Sequence, residues 1–432
     1  MGSGLEAAVG MSRTWDAREA GREVARSTIE KLNRPPDFFL LFSTIHYEKN
    51  GGFQELLEGV YDVLPPDTPL IGGTVTGFMN NFGCFSRGVT ALAVSCPETQ
   101  VAIGYGRNTK RNPRKAARNC VKMIKNNLKD SNYKNNFLLN LVSGGEIPDI
   151  LGLGRRKVIR SGLTPKMMTN LLGFSQYVLQ KGAARDDEVI EEIIKELPDF
   201  YMLGGGTYDD GRGLKNYQFF NKKVLRNSVI SLAINTNHDL NVLTTHNMKK
   251  SNVKFKITKI SKDGRTIREI NNKPAASEFI KLMNWPEEYI NDKNWYNIAY
   301  HFPLGFQTEN SGIAPRIIPV ILGESLITTI RSKDSESSVL TIDGRNLLKS
   351  IDENLNSFPD APLFGLISSC TTRLITMGRS IYEARDYLLN YFKDKPFLVF
   401  YVGGESTYSK ENGLNFVNMS FNSAIFWDNK QN

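Results

Sequence analysis

The sequence predicts a mixed α/β (α+β) protein built from repeated units, in each of which a strand, a helix and three further strands follow one another. Two observations lead to this prediction: helical and strand patterns alternate along the chain, and three short apolar strands each run into glycines. These strands are Pro69–Gly77, Phe200–Gly206 and Phe397–Gly404. We therefore expect mixed sheets flanked by helices, arranged as two associated domains.

The first unit follows a capped helix. Asp16 is followed three residues later by Glu19, which is a capping-box pattern, and the helix is expected to run to about Leu32. Prolines then end it before the first apolar strand. The predicted elements of the unit are a strand at Phe38–Ser43, a helix around Phe53–Val63, and strands at Pro69–Gly77, Val89–Ser95 and Gln100–Tyr105.

The same order of elements recurs twice. The second unit is predicted to hold a strand at Phe137–Val142, helices in the region 165–197, the strand into Gly204–Gly206, and strands at Tyr217–Phe220, Val229–Asn235 and Leu240–Thr245. The third is predicted to hold a strand at Pro362–Cys370, a helix at Tyr382–Phe392, the strand into Gly403 and Gly404, and strands at Leu414–Met419 and Ser423–Trp427. Coincidence is the alternative, because glycine often follows a buried strand.

A different segment separates the second and third units. Phe255–Ile260 and Thr266–Ile270 flank Asp263-Gly264, which predicts a β-hairpin, and a helix is expected at Ala275–Met283. Asn284–Asn297 is interpreted as a loop. The predicted domains are therefore residues 1–280 and 281–432.

Composition excludes several classes of protein. The chain has 432 residues, 40% apolar and 23% charged, which suits two folded domains rather than a disordered protein. It has no apolar run of the roughly 20 residues that a membrane-spanning helix needs, and it begins without a signal-peptide pattern. Its four cysteines and four histidines lack metal-ligand spacing. We expect a cytoplasmic protein with no cofactor and no metal.

Positive charge is concentrated in one segment. Val101–Arg160 contains 14 Lys and Arg residues and three acidic residues, a local net charge of +11 against +9 for the whole chain. The predicted helix Pro113–Leu128 carries a basic stripe, formed by Arg114, Arg118, Lys122, Lys125 and Lys129. The stripe suits an acidic partner, although a solvated face is the favoured explanation. The absence of interleaved aromatic residues argues against nucleic acid.

The glycine turns are the candidate ligand-binding site. Backbone amides, hydroxyls and carboxylates at such turns suit a zwitterion, with Arg373 as a further partner for a carboxyl group. The second turn is expected to be the principal one, because it joins glycines to two carboxylates. Tight turns with no ligand are the alternative. The candidate residues are Gly72, Gly73, Thr74, Thr76, Gly205, Gly206, Thr207, Tyr208, Asp209, Asp210, Glu405 and Ser406.

Cys370 is the remaining candidate. It ends a predicted strand with Arg373 three residues later, and a nearby cation would lower the pKa of the thiol and make it reactive. A buried structural cysteine is the alternative, favoured because no histidine is linked to it by sequence.

Motifs along most of the chain follow the pattern of one family in order and spacing. The N-terminal motifs are Leu40-Leu41-Phe42-Ser43, Pro69-Leu70-Ile71-Gly72-Gly73-Thr74, Gly204-Gly205-Gly206 and Tyr217-Gln218-Phe219-Phe220; the C-terminal ones are Pro303-Leu304-Gly305, Ser369-Cys370 with Arg373, and Gly404-Glu405. The chain thus resembles the FIST family, whose members carry FIST N and FIST C regions and occur in prokaryotic signalling proteins and some F-box proteins. It departs from the family at Gly77-Phe78, where a Gly-Glu pair is frequent, and in the basic run Arg155–Arg160.

The resemblance implies a sensory role in signal transduction, with amino acids or similar small polar metabolites as ligands. A scaffold that holds protein partners, as in F-box relatives, is the alternative. An enzyme that uses Cys370, or the carboxylates of Asp209, Asp210 and Glu405, is less well supported. Separate acids become catalytic only where the fold brings them together in a cleft. The sequence therefore favours a binding protein over an enzyme.

Overall fold

The computed structural model describes residues 4–129, 132–148, 154–160, 173–307, 312–333 and 335–428. Asp16 caps the first helix by accepting a hydrogen bond from the Glu19 amide at 2.9 Å, as the capping pattern predicts. The described α-helices are α1 (Ala17–Ile29), α2 (Phe53–Tyr61), α3 (Pro113–Asn127), α4 (Asp186–Glu196), α5 (Ala275–Leu282), α6 (Asp292–His301), α7 (Gly344–Leu355), α8 (Thr371–Thr376) and α9 (Ile381–Phe392).

The described strands form three sheets, and each sheet contains both parallel and antiparallel pairs. The predicted mixed α/β class is therefore confirmed. The strands are β1 (Glu6–Ser12), β2 (Phe38–Ser43), β3 (Leu70–Thr74), β4 (Gly77–Asn80), β5 (Gly83–Phe85), β6 (Val89–Ser95), β7 (Gln100–Arg107), β8 (Asn135–Ser143), β9 (Val158–Ile159), β10 (Tyr201–Thr207), β11 (Gln218–Phe220), β12 (Lys223–Leu225), β13 (Ser228–Thr236), β14 (Asp239–Thr245), β15 (Lys249–Ile260), β16 (Thr266–Ile270), β17 (Lys273–Pro274), β18 (Leu304–Gln307), β19 (Ile313–Arg316), β20 (Val320–Leu322), β21 (Ser325–Ile327), β22 (Ser335–Thr341), β23 (Pro362–Cys370), β24 (Phe397–Ser409), β25 (Gly413–Phe416) and β26 (Phe421–Trp427).

Three groups of four strands share one pairing pattern: β1-β6-β2-β3, β7-β13-β8-β10 and β14-β26-β23-β24. In each group two antiparallel pairs are followed by one parallel pair. The segments joining the three parallel pairs contain α2, α4 and α9, as expected for right-handed crossovers. The repetition predicted from the glycine turns is thus visible in the topology, but the groups begin with β1, β7 and β14 rather than with the predicted β2, β8 and β23.

The repeats build four layers. The second and third groups join through antiparallel pairing of β10 with β24, and the first group packs face to face on the resulting sheet. Phe42 and Phe400 stack across this interface, with ring centroids 4.5 Å apart. Helices α1 and α2 cover the outer face of the first sheet, while α3, α4, α7 and α9 cover the second. Apolar side chains are therefore buried on both faces of the first and second sheets.

The third sheet is formed mainly by the chain between β14 and α7. It contains the predicted hairpin, β15 and β16, with Gly264 at a φ of +72° in the turn. The interpretation of Asn284–Asn297 as a loop is wrong at its end, because α6 begins at Asp292. Asn291 caps that helix, and the buried Trp295 indole donates to the Ile318 carbonyl at 3.1 Å.

Both sides of the predicted domain boundary contribute to one sheet, since β24 pairs with β10 and with β4. The boundary near residue 280 stays a prediction. The predicted helical region 165–197 falls partly outside the described residues, and its described part contains α4. None of the described helices is both long and apolar enough to cross a membrane.

Candidate functional site

The three glycine turns singled out in the sequence meet at one place. The Tyr208 amide donates to the Thr74 carbonyl at 2.9 Å, and the Thr76 amide donates to the Tyr401 carbonyl at 3.0 Å. Gly206 and Gly403 are paired across the sheet. Each turn follows, or lies within, the last strand of its four-stranded group. The repeat therefore brings together segments that are far apart in sequence.

A cavity of about 190 Å³ lies beside this meeting point. One side is formed by residues that follow β8, β10 and β23, together with part of β24. The other side is formed by the third sheet and α6. Representative lining residues on the first side are Gly144, Gly145, Tyr208, Thr371, Thr372, Gly403 and Gly404; those on the second are Ile159, Ala299, Tyr300, Val320, Leu322 and Ile327.

Most of the cavity wall is apolar, and a small number of charged groups interrupt it. Ile147, Ile317 and Ile330 are among the aliphatic residues of the wall. The ionisable residues that line it include two acids and three bases: Glu146, Asp186, Arg156, Lys157 and Arg212. Such a wall suits a ligand with an apolar body and a few polar groups.

Asp186 is the acid in the cavity wall whose pKa is raised. It is the first residue of α4, and it packs against Gly404, which has a φ of +61°. A Cβ atom at Gly404 would collide with Asp186 Oδ2, so this contact requires glycine. Burial, with a smaller effect of the Asp187 carboxylate, raises the pKa of Asp186 to about 7. The side chain is therefore partly protonated near neutral pH.

Glu405 lies directly after Gly404 and is fully buried. Its carboxyl oxygens have no conventional hydrogen-bond partner among the described residues, although the Cys370 thiol interacts with the group. Burial raises the pKa of Glu405 to about 8, and the Asp186 carboxylate adds to this effect. Two acids that are neutral or only partly ionised therefore lie close to the same side of the cavity.

Cys370 lines the cavity, but burial raises the pKa of its thiol, and the charge of Glu405 acts in the same direction. Arg373, the cation expected to lower the pKa of the Cys370 thiol, is buried, and its guanidinium donates hydrogen bonds to other groups. It donates to the Leu347 carbonyl at 2.7 Å and to Ser350 Oγ at 2.9 Å. The geometry therefore agrees with the buried structural cysteine rather than with a reactive thiolate.

The basic run Arg155–Arg160 contributes Arg156 and Lys157 to the cavity wall. Burial lowers the pKa of Lys157 to about 8, although the carboxylates of Asp209 and Asp292 oppose the effect. Arg212 also lines the cavity, and it pairs with Asp210 at 3.2 Å. A positively charged region of the wall is therefore present in addition to the acidic one.

Glu146 is held in a buried network that the sequence did not indicate. Lys110 Nζ lies 3.4 Å from Glu146 Oε1, and Arg226 binds the other carboxylate oxygen at 3.1 Å. Asn216 adds a hydrogen bond at 3.3 Å. Burial lowers the pKa of Lys110 to about 8. Because protein groups already neutralise this acid, Asp186 is the more available carboxylate for a ligand.

The two aspartates of the second turn have protein partners. Asp209 is buried and accepts hydrogen bonds from the amides of Gly213 and Leu214, at 2.8 and 2.6 Å. Burial raises the pKa of Asp209, while these amides oppose the shift. Asp210 forms the ion pair with Arg212. Asp209 therefore caps backbone amides and Asp210 pairs with a nearby side chain, which agrees with the alternative of a tight turn without a ligand.

The remaining predicted residues are not part of the cavity wall. Thr76 contacts the wall, because its hydroxyl lies 2.8 Å from that of Thr371. Gly205 has a packing role, since a Cβ atom there would lie 2.5 Å from Val402 Cγ2. Tyr208 and Cys370 are the predicted site residues that line the cavity. The predicted site residues that do not line it are Gly72, Gly73, Thr74, Thr76, Gly205, Gly206, Thr207, Asp209, Asp210, Arg373, Glu405 and Ser406.

Comparisons with known proteins give one family match. The FIST family model, described as the FIST N domain, matches residues 37–273, more than half of the chain. No curated protein matches. A cyanuric acid hydrolase from A. caulinodans aligns over 99% of this chain and 100% of its own, at 8% identity and a TM-score of 0.35. PurLQS from Thermotoga maritima aligns over 98% and 72%, at 12% identity and a TM-score of 0.19. Neither structural likeness is close enough to bear on fold or function.

Proposed function

The chain belongs to the FIST family by its FIST N domain, and on this premise we propose that it is a sensory protein that binds a small ligand in the cavity. The observation that carries the proposal is Asp186, a carboxyl group in a mostly apolar wall with its pKa raised by burial. Such a group is costly to ionise without a positive partner. The charge of Arg265 offsets only part of that cost, because the pKa stays raised, and a bound cation would supply a further partner.

The wall also suggests which ligand fits. A ligand ammonium beside Asp186 would favour the ionised carboxylate and lower its pKa. A ligand carboxylate could pair with the positive region that contains Lys157 and Arg212, and an apolar side chain could contact the aliphatic residues. This combination describes an amino acid with an apolar side chain, or a closely similar small metabolite. A ligand in the cavity would contact residues of both predicted domains, 1–280 and 281–432.

The size of the cavity supports a small molecule. At about 190 Å³ it is smaller than the roughly 300–1,000 Å³ of pockets that hold drug-sized ligands. A metabolite of amino-acid size is therefore favoured over a nucleotide or a peptide.

The test is a thermal-unfolding screen of the full chain with three matched compounds: leucine, isoamylamine and 4-methylvalerate. The amine and the acid each keep one of the two charged groups of leucine. We expect leucine to stabilise most and the amine to stabilise more than the acid. A ligand present at 100 times its Kd stabilises by about 2.7 kcal/mol. Repeating the screen with the other amino acids maps the side-chain preference.

Two variants locate the binding site. Asp186→Asn removes the proposed partner of the ammonium and is expected to weaken leucine binding at least tenfold, measured by calorimetry. Asp67→Asn, at an exposed position in the loop before β3, is the matched control and should bind as the unmodified chain does. If no amino acid or amine stabilises the protein, or if both variants bind equally well, the proposal is wrong.

A further inference from the structure

A short exposed apolar turn projects from the protein just before the residues that reach the cavity wall. Four of the six residues in Phe174–Leu179 are bulky and apolar or aromatic, and each is at least half exposed. The exposed fractions are 55% for Phe174, 53% for Tyr177, 52% for Val178 and 50% for Leu179. Soluble surfaces seldom group such side chains, so their clustering indicates an interaction site.

The protein holds this apolar turn in a defined conformation. Arg111 Nε donates to the Tyr177 carbonyl at 2.6 Å, and its Nη2 donates to the Val178 carbonyl at 3.0 Å. Inside the turn, the Lys181 amide donates to the Ser175 carbonyl at 2.9 Å. Gln176 faces inward and donates to the Lys110 carbonyl at 3.2 Å. The polar side chains thus fix the backbone while the apolar ones point outward.

Positive charge lies beside the apolar turn. Arg111 lies two residues before the start of α3, whose first residues include the exposed Arg114 and Lys115. Among the described residues, none of these three forms an ion pair with an acid. Lys181 follows the turn, and Arg185 lies over the Tyr177 ring at 5.8 Å. Apolar side chains that protrude next to unneutralised cations fit a surface that is negatively charged outside and apolar beneath.

We propose that the apolar turn and the start of α3 dock the protein on a lipid bilayer that contains anionic headgroups. The side chains of Tyr177, Val178 and Leu179 enter the boundary between headgroups and acyl chains, and Arg111, Arg114 and Lys115 pair with the headgroups. An acidic protein partner would also attract the cations. The exposure of half or more of each apolar side chain favours the bilayer, because a projecting turn can penetrate a fluid interface.

The first experiment is co-sedimentation of the full chain with vesicles of phosphatidylcholine alone and of phosphatidylcholine mixed with phosphatidylserine. We expect binding to the mixed vesicles only, weakened by salt. R114Q and K115Q should each lower the partition coefficient about fivefold. L179S should lower it at least tenfold at every salt concentration. F82S, at a similarly exposed apolar position, is the control and should bind normally.

A second measurement uses a variant that keeps the apolar character of the turn and reports directly on its contact with lipid. L179W keeps a large apolar side chain at the tip, and its fluorescence should be quenched by brominated lipid in mixed vesicles well beyond that of the unmodified chain. Absence of binding to mixed vesicles, binding that L179S leaves intact, equal loss in F82S, or no added quenching in L179W would each overturn the proposal. Capture of an acidic protein by the same surface, without vesicle binding, would do so as well.

Discussion

Replacing Asp186 by Asn is expected to remove a pH-dependent loss of stability. The folded protein holds the Asp186 proton up to about pH 7, because burial raises its pKa, whereas the unfolded chain loses that proton near the ordinary value of 3.8. The folded state therefore binds more protons between these values, so stability falls as the pH rises from about 4 to about 7. At about 1.4 kcal/mol per pH unit, the full loss above pH 7 is about 4 kcal/mol.

Thermal unfolding at about pH 4 and about pH 8 measures this effect. An unfolding entropy of about 2.1 cal/mol/K per residue gives about 0.9 kcal/mol/K for 432 residues. The Tm of the unmodified chain should therefore fall about 4 °C further than that of Asp186→Asn between the two pH values. This difference in Tm will be larger if the region around the cavity unfolds as a separate unit with a smaller unfolding entropy. Parallel pH profiles for the two proteins would refute the reasoning, because they would mean that Asp186 ionises normally in the folded state.

Three further predictions concern the same region. Glu405→Gln should raise the Tm at about pH 9 and change it little at about pH 4, since burial raises the pKa of Glu405 to about 8; an equal change at both pH values would contradict this. Gly404→Ala should lower the unfolding free energy, measured by urea denaturation, by about 1–3 kcal/mol, because the added methyl group meets the Asp186 carboxylate and residue 404 has a positive φ. An unchanged midpoint of urea unfolding would disprove this prediction. Glu146→Gln should cost about 3–5 kcal/mol in the same assay by leaving Lys110 charged and buried without a carboxylate, and a loss below about 1 kcal/mol would show that Lys110 is neutral.

The strands and helices that the sequence predicted well are those with a strong local pattern. The strand β23 was predicted with its observed bounds, and α3 was predicted to within one residue, because apolar runs and helical spacing act over neighbouring residues. The elements that were missed include two that show the opposite reason, β1 and α6. β1 exists through its pairing with β6, and α6 is fixed by the burial of Trp295, and neither contact can be seen in the local sequence.

The site was predictable only in part. The glycine turns were identified because glycine after an apolar strand is a local signal, and the fold then brought them together. Asp186 was missed, since an acid at the start of a helix ordinarily complements the helix dipole in solvent. Its burial depends on Gly404, which is distant in sequence. The basic run Arg155–Arg160 stands out in the sequence, and two of its residues, Arg156 and Lys157, line the cavity.

The pairing of β10 with β24 has a consequence for the synthesis of the protein. β10 can pair with its first neighbour, β8, as soon as both are synthesised, but its second neighbour, β24, begins 190 residues after β10 ends. Until β24 has left the ribosome, one edge of β10 presents unpaired amides and carbonyls beside a large apolar surface. Such an edge pairs readily with other chains. The nascent protein is therefore most exposed to aggregation between the synthesis of β10 and that of β24, when a chaperone that shields this edge would improve its yield the most.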